Sequence, residues 1–286
     1  MRKIFNIHIF MLGLIMISCS EHNKTPSEKN YPVENPEVMA SITLTVSESK
    51  KLIAEGLASY PAVKEKMKNG RIIITRGTTN TYLAEKLAKL NADHGAFVTG
   101  KIEPESKKKE IKPTINRIPE IYLVNGKHSK IPLEEALQEL QEDDIIFKGA
   151  NIMNYENKSA AVCIGAPDGG TTAKIMPYIG RGKARLIIPI GLEKDASSDL
   201  LSPIKLLKEE KENINFLPKL FCLEGEIFTE IEALKQFGDI NAFVFAKGGI
   251  NGAEGAVSIA ISGTAEEVKK VLDKVYEIQG EPPFIK

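Results

Sequence analysis

The chain reads as an α/β protein, a mainly parallel sheet with flanking helices, followed by a smaller C-terminal ferredoxin-like α+β domain. Three observations predict this. Unbroken apolar runs of strand length recur, as strands buried on both faces of a parallel sheet do. Each leads through a glycine-bearing turn into a helical pattern, which is the β-turn-α rhythm. From about residue 216 the order changes to β-α-β-β-α, that of a ferredoxin-like half. The domain plan is residues 1–18 as a signal peptide, 19–40 as a flexible tether, 41–215 as a Rossmann-like α/β domain and 216–286 as the second domain.

In chain order, Met1-Arg2-Lys3 precedes an apolar run from Ile7 to Ile17, and Ser18-Cys19-Ser20 follows. A basic start, a short apolar core and a small residue before cysteine resemble the bacterial lipoprotein signal. The resemblance implies cleavage before Cys19, lipid on that cysteine, and a protein anchored to a membrane of the cell envelope. The box Met16-Ile17-Ser18-Cys19 departs from that class in carrying Met where Leu is usual. A membrane-spanning helix needs roughly 20 apolar residues, and this run is shorter. Residues 20–39 are Ser, Glu, Asn, Lys and Pro with little to bury, so they read as a tether.

Thr45-Val46-Ser47-Glu48 is a capping box that opens a helix, with Leu52, Ile53 and Leu57 as its buried stripe and Pro61 splitting it in two. Arg71-Ile72-Ile73-Ile74-Thr75-Arg76 is the clearest buried strand. Gly77-Thr78-Thr79-Asn80 turns it into a helix expected over Thr81 to Leu90. Ile118 to Val124, with Asn125-Gly126 as a hairpin turn, reads as an inserted antiparallel piece. Further strands are expected at Asp143 to Lys148, Ala160 to Ile164 and Ala184 to Ile190, with a helix over Thr171 to Ile179. The charged stretch from Leu206 to Asn215 reads as a helix and linker. Beyond it come strands at Leu220 to Leu223, Asn241 to Ala246 and Ala256 to Ser262, and helices at Thr229 to Phe237 and Thr264 to Ile278.

Lys and Arg number 38 and Asp and Glu 38, so no charge excess points to nucleic acid. The basic run Lys107-Lys108-Lys109 sits in a polar, Pro-flanked stretch and reads as a solvated loop. The four histidines are scattered, and no Cys/His spacing marks a metal site. Cys163 and Cys222 lie in apolar strand-like runs and read as two buried free thiols. Neither cofactor identity nor oligomeric state is written in any motif.

Ligands of open parallel sheets bind beyond the carboxyl ends of the strands, where turns into helices leave backbone N–H groups free. Three turns have that composition. Gly77, Thr78, Thr79 and Asn80 offer a small residue, two hydroxyls and an amide to phosphate or carboxylate oxygens, although a threonine there also caps helices. Gly149, Ala150 and Asn151 end a second strand, with Asp144 as a candidate base and Lys148 as a candidate oxyanion partner. Asp168, Gly169, Gly170 and Thr171 feed a third helix, with Asp168 able to accept a proton. The set lacks the ending of a P-loop and the spaced glycines of a dinucleotide fingerprint.

The run from Arg71 to Lys194 resembles the superfamily of ribose-5-phosphate isomerase, glucosamine-6-phosphate deaminase and coenzyme A transferases. Gly77-Thr78-Thr79 and Gly149-Ala150-Asn151 carry the likeness, which implies a phosphate-holding turn and a strand end lining a site. Lys148-Gly149-Ala150-Asn151 stands where the isomerase has Asp-Gly-Ala-Asp-Glu, and no transferase glutamate is assignable. Three readings follow: an envelope protein that binds a small anionic, phosphate-bearing ligand; an enzyme of the isomerase or transferase kind using Asp168 or Asp144 with Lys148; and a scaffold with an empty rim.

Overall fold

A computed structural model describes residues 38–100, 102–108, 116–196, 199–209 and 212–285. The expected signal, Cys19 and the tether up to residue 37 lie outside the described residues. Strand β1, Val38–Leu44, opens the fold and takes in the end of the expected tether. Its period-2 pattern buries Ile42 and Leu44 and leaves Thr43 outward, as a half-buried strand requires. Thr45 then caps α1, Val46–Ser59, with both halves of the box present: Glu48 N–H donates to Thr45 Oγ1 (3.3 Å) and Thr45 N–H to Glu48 Oε2 (2.8 Å). Pro61 starts α2, Pro61–Lys68, at a position where its missing N–H costs nothing.

The run of isoleucines forms β2, Arg71–Ile74, and helix α3 begins at once, Thr78–Ala88. The helix therefore starts three residues earlier than expected and absorbs most of the Gly77–Asn80 turn. A short helix α4, Glu105–Lys108, precedes the hairpin of β3, Ile121–Val124, and β4, Lys127–Ser129. Asn125 and Gly126 have φ of 50° and 73°, the left-handed pair that a tight hairpin turn demands. Next come α5 (Leu133–Glu139), β5 (Asp144–Phe147), β6 (Ile152–Asn154), β7 (Ser159–Ile164), α6 (Gly170–Gly180) and β8 (Ala184–Pro189). The remainder is α7 (Leu201–Lys208), β9 (Lys219–Leu223), β10 (Glu226–Phe228), α8 (Glu230–Leu234), β11 (Asn241–Lys247), β12 (Val257–Gly263) and α9 (Ala265–Tyr276).

The class is α/β, but the sheets are mixed. The largest has the order β10-β8-β5-β2-β3-β4. Its β10, β8, β5 and β2 run parallel, while β3 and β4 extend it antiparallel. Two three-stranded sheets, β6-β7-β9 and β1-β12-β11, are wholly antiparallel. Strand β7, expected to continue the parallel series, leaves it for a local reason. A parallel neighbour needs a crossover of a dozen or more residues, whereas Tyr155–Lys158 folds β7 straight back onto β6, with Lys158 at φ 49°.

The C-terminal segment does not form a ferredoxin-like unit of its own. Its order is nearly as expected, but its strands satisfy their backbones elsewhere: β9 on β7, β10 on β8, and β12 on β1. The described residues, from Val38 onward, form one compact unit. Thr264 caps α9 by accepting from Glu267 N–H, yet Glu267 turns away and accepts from Asp239 N–H at 2.9 Å. That bond ties α9 to the approach to β11. Inside, Ile72, Ile73, Ile74, Ile145, Ile146, Phe147, Ile187 and Ile188 are fully buried, so the parallel strands are the core of the largest sheet. Helix α1 approaches α8 at Gly56, where an added Cβ would lie 2.5 Å from Ala233.

Candidate functional site

The parallel strands set the site's position. Chain leaving β2 goes to β3 on one side, while β5 lies on its other side and leads on to β8. The connections thus part between β2 and β5, and a crevice opens beyond the carboxyl ends there. In this structure the crevice is a cleft of about 630 Å³, within the range of small-molecule sites. All three glycine-bearing turns line it: Gly77 to Asn80 after β2, Gly149 to Asn151 after β5, and Asp168 to Thr172 at the head of α6. Their convergence is a tertiary fact, since β7 and α6 reach the rim through the antiparallel sheet.

Two helices of eleven residues begin on the cleft. Gly77 is the N-cap of α3 and Gly169 that of α6; neither glycine supplies a capping side chain, and at α6 the Asp168 carboxylate takes the first helical N–H, that of Gly170. The first-turn N–H groups of such helices lack helical partners and carry the positive end of the dipole. Gly169 has φ 79°, a left-handed conformation that glycine adopts without strain. Its Cβ, if present, would meet Ala173 Cβ at 2.7 Å.

Cations dominate the walls. Lys50, Arg76, Lys148 and Lys194 line the cleft, against one carboxylate among the described residues, that of Asp168. Arg76 is neutralised by Glu120 at 3.1 Å, and Thr171 donates to the same carboxylate at 3.0 Å. Lys194 donates to Ala150 O at 2.9 Å. Lys148 differs from both. It is 8 % exposed, and among the described residues its ammonium has no hydrogen-bond or ion-pair partner. Desolvation pulls its pKa down to about 8, only partly opposed by the field of Glu120. Burial likewise lowers Lys50 to about 8, partly opposed by Glu193. The fully buried Glu230 accepts from Leu192 N–H (2.9 Å to Oε2), and burial together with the nearby Glu193 pushes its carboxyl up.

The sequence-derived candidates separate into groups. Lys148, Gly77, Thr78, Thr79, Gly149, Ala150, Gly169, Gly170 and Thr171 come together at the rim. Asn80 and Asn151 also border it, but their side chains hold the fold. Asn80 Nδ2 donates to Thr75 O (2.8 Å) and Phe147 O (3.2 Å), stapling β2 to β5. Asn151 Oδ1 accepts from Cys163 N–H at 2.8 Å and fastens the approach to β6 onto β7. Asp168 is exposed and its Oδ1 takes the Gly170 N–H at 2.9 Å, closing the turn ahead of α6.

Asp144 stands apart from this group. It begins β5, at the opposite end of the strand from Lys148, where it accepts from Arg71 N–H (2.9 Å) and Gln141 N–H (2.8 Å) with Arg71 Nη1 at 3.7 Å. Sequence neighbours four apart on a strand are separated by its full length, so proximity in sequence misled here. Lys50, Arg76 and Lys194 were missed. Lys50 alone left a signal: it shares the helical face of Ile53 and Leu57, a lysine on an otherwise apolar stripe.

The two thiols remain free, and both are half-buried; Cys163 lines the cleft. No metal-ligand cluster occurs among the described residues, and no described helix is long and apolar enough to cross a membrane. No protein family, curated protein or solved structure matches the chain.

Proposed function

We propose that this protein binds a small phosphate-bearing ligand in the cleft beyond β2 and β5. One observation carries the reading: the unpartnered ammonium of the buried Lys148 shares the cleft with the start of α3, which no side chain caps. A buried cation without a counter-ion is costly, and an anion in the cleft relieves that cost while engaging the free N–H groups. The likeness of Gly77-Thr78-Thr79 and Gly149-Ala150-Asn151 to the phosphate-holding turns of the isomerase and transferase superfamily argues for phosphate over carboxylate. Catalysis has less support, because Asp168 is committed to its turn and Asp144 to the far edge of the sheet. Thermal unfolding of the chain from residue 38 onward tests the binding. Ribose 5-phosphate, nucleotides or coenzyme A esters at millimolar concentration raise the melting temperature by mass action. Uniform silence across these classes returns the scaffold reading.

We also propose, from the signal-like start alone, that lipid on Cys19 anchors the protein to a bacterial envelope membrane. Labelled palmitate is then incorporated into the full chain and lost in Cys19→Ser. Equal labelling of both proteins rules the anchor out.

A further inference from the structure

A second groove, of about 520 Å³, shares Lys50, Thr78, Val98 and Ile102 with the cleft. The two are therefore one continuous depression with different chemistry at each end. Apart from the shared residues, its apolar wall is built from Val46, Pro283, Phe284 and Ile285, beside the hydroxyls of Thr45 and Ser47 and the carboxylate of Glu103. Its remaining acidic groups include Glu254 and Glu281, one accepting from Gly252 N–H at 2.9 Å, the other held by Lys51 at 2.6 Å.

The C-terminal wall is firmly built. Gly280 N–H donates to Glu48 Oε1 (2.7 Å), His94 Nδ1 bonds Phe284 O (3.0 Å), and the Phe284 ring stacks on His94 at 4.6 Å. Ile102 and Ile285 nevertheless stand 75 % and 58 % exposed on its lips. Apolar side chains held out around a preformed groove mark a binding surface.

We propose that the ligand is a phosphate monoester of an apolar group, its phosphate at Lys148 and the helix starts and its apolar body lying past Lys50 and Thr78 in this groove. The proposal rests on the phosphate reading above. Charge fixes the orientation: Lys148 and Lys194 draw the phosphate to the cleft, and Glu254 repels it from the groove.

Calorimetry of the chain with methyl, butyl and hexyl phosphate and with adenosine monophosphate tests it. A fully buried methylene is worth about fourfold in affinity, so in this open groove hexyl phosphate binds at least tenfold more tightly than methyl phosphate. Adenosine monophosphate carries a polar body, so a gain for hexyl phosphate over methyl phosphate supports the proposal, and a gain for adenosine monophosphate alone overturns it. In the double variant Val46→Ser, Ile285→Ser the gain disappears and methyl phosphate affinity stays. Equal affinity for all the esters, or a gain that survives the double variant, overturns it while leaving the phosphate reading intact. No binding of any ester removes both.

Discussion

Lys148→Met makes the ligand-free protein more stable and weakens ligand binding by about a hundredfold. In the unfolded chain a lysine ionises near 10.4, and in the fold Lys148 ionises at about 8. The protonated form is thus penalised by folding. The sign follows from proton binding: between about pH 8 and 10 the unfolded state holds more protons, so stability rises with pH across that window. Below pH 8 the whole penalty is present, on the order of 3 kcal/mol. Methionine keeps the packing of the stem and removes the charge, so urea denaturation at pH 7 shows a gain of that order.

Affinity for phosphate esters falls in the same variant by about a hundredfold, the typical result of removing a charge-assisted contact from a desolvated site. In the native protein, binding weakens above pH 8 as Lys148 and Lys50 lose their protons. A bound anion favours the charged lysines, so binding at pH 8.5 takes up protons, which calorimetry in buffers of different ionisation enthalpy detects. A variant that is less stable and binds normally would show that Lys148 is an ordinary core lysine. Stability given up at a binding residue is the expected trade where function needs an unsatisfied group.

Asp144→Ala has the opposite profile: a large loss of stability with ligand affinity unchanged. Its carboxylate is 1 % exposed as part of a residue that accepts two backbone N–H bonds and faces Arg71, with Lys66 Nζ at 4.0 Å. Alanine leaves the Arg71 and Gln141 N–H groups unpaired and the Arg71 cation uncompensated. Breaking such a buried cluster costs about 3 kcal/mol, readable as a lower urea midpoint. Any ligand that raises the melting temperature of the native protein raises that of Asp144→Ala equally. A specific loss of binding would return Asp144 to the site.

These two residues also show where sequence reasoning holds and where it stops. Short-range chemistry was legible because its causes are local. Thr45 and Glu48 cap α1, Pro61 divides α1 from α2, and Asn125-Gly126 makes a hairpin, each within a few residues of its cause. The glycine-bearing turns were legible for the same reason, since an apolar run ending in small residues before a helix has few other conformations. Strand β1 is less legible: only Ile42 and Leu44 alternate with polar residues, and its first three residues fall within the expected tether.

Pairing partners lay beyond reach. A strand's residues state that it pairs, not with which neighbour, and β9, β10 and β12 chose β7, β8 and β1 over one another. Hence the separate C-terminal domain dissolved into three shared sheets. The same limit governs charge. Sequence alone determined which side chains ionise and that Lys148 ends an apolar strand next to Gly149 and Ala150. Only the tertiary structure decided that Asp144 is compensated at one end of that strand while Lys148 is left unpaired at the other. Desolvation and counter-ion distance are properties of the surroundings, and those are assembled from residues far apart in the chain: Lys50 from α1, Gly77 after β2, Gly169 before α6 and Lys194 after β8.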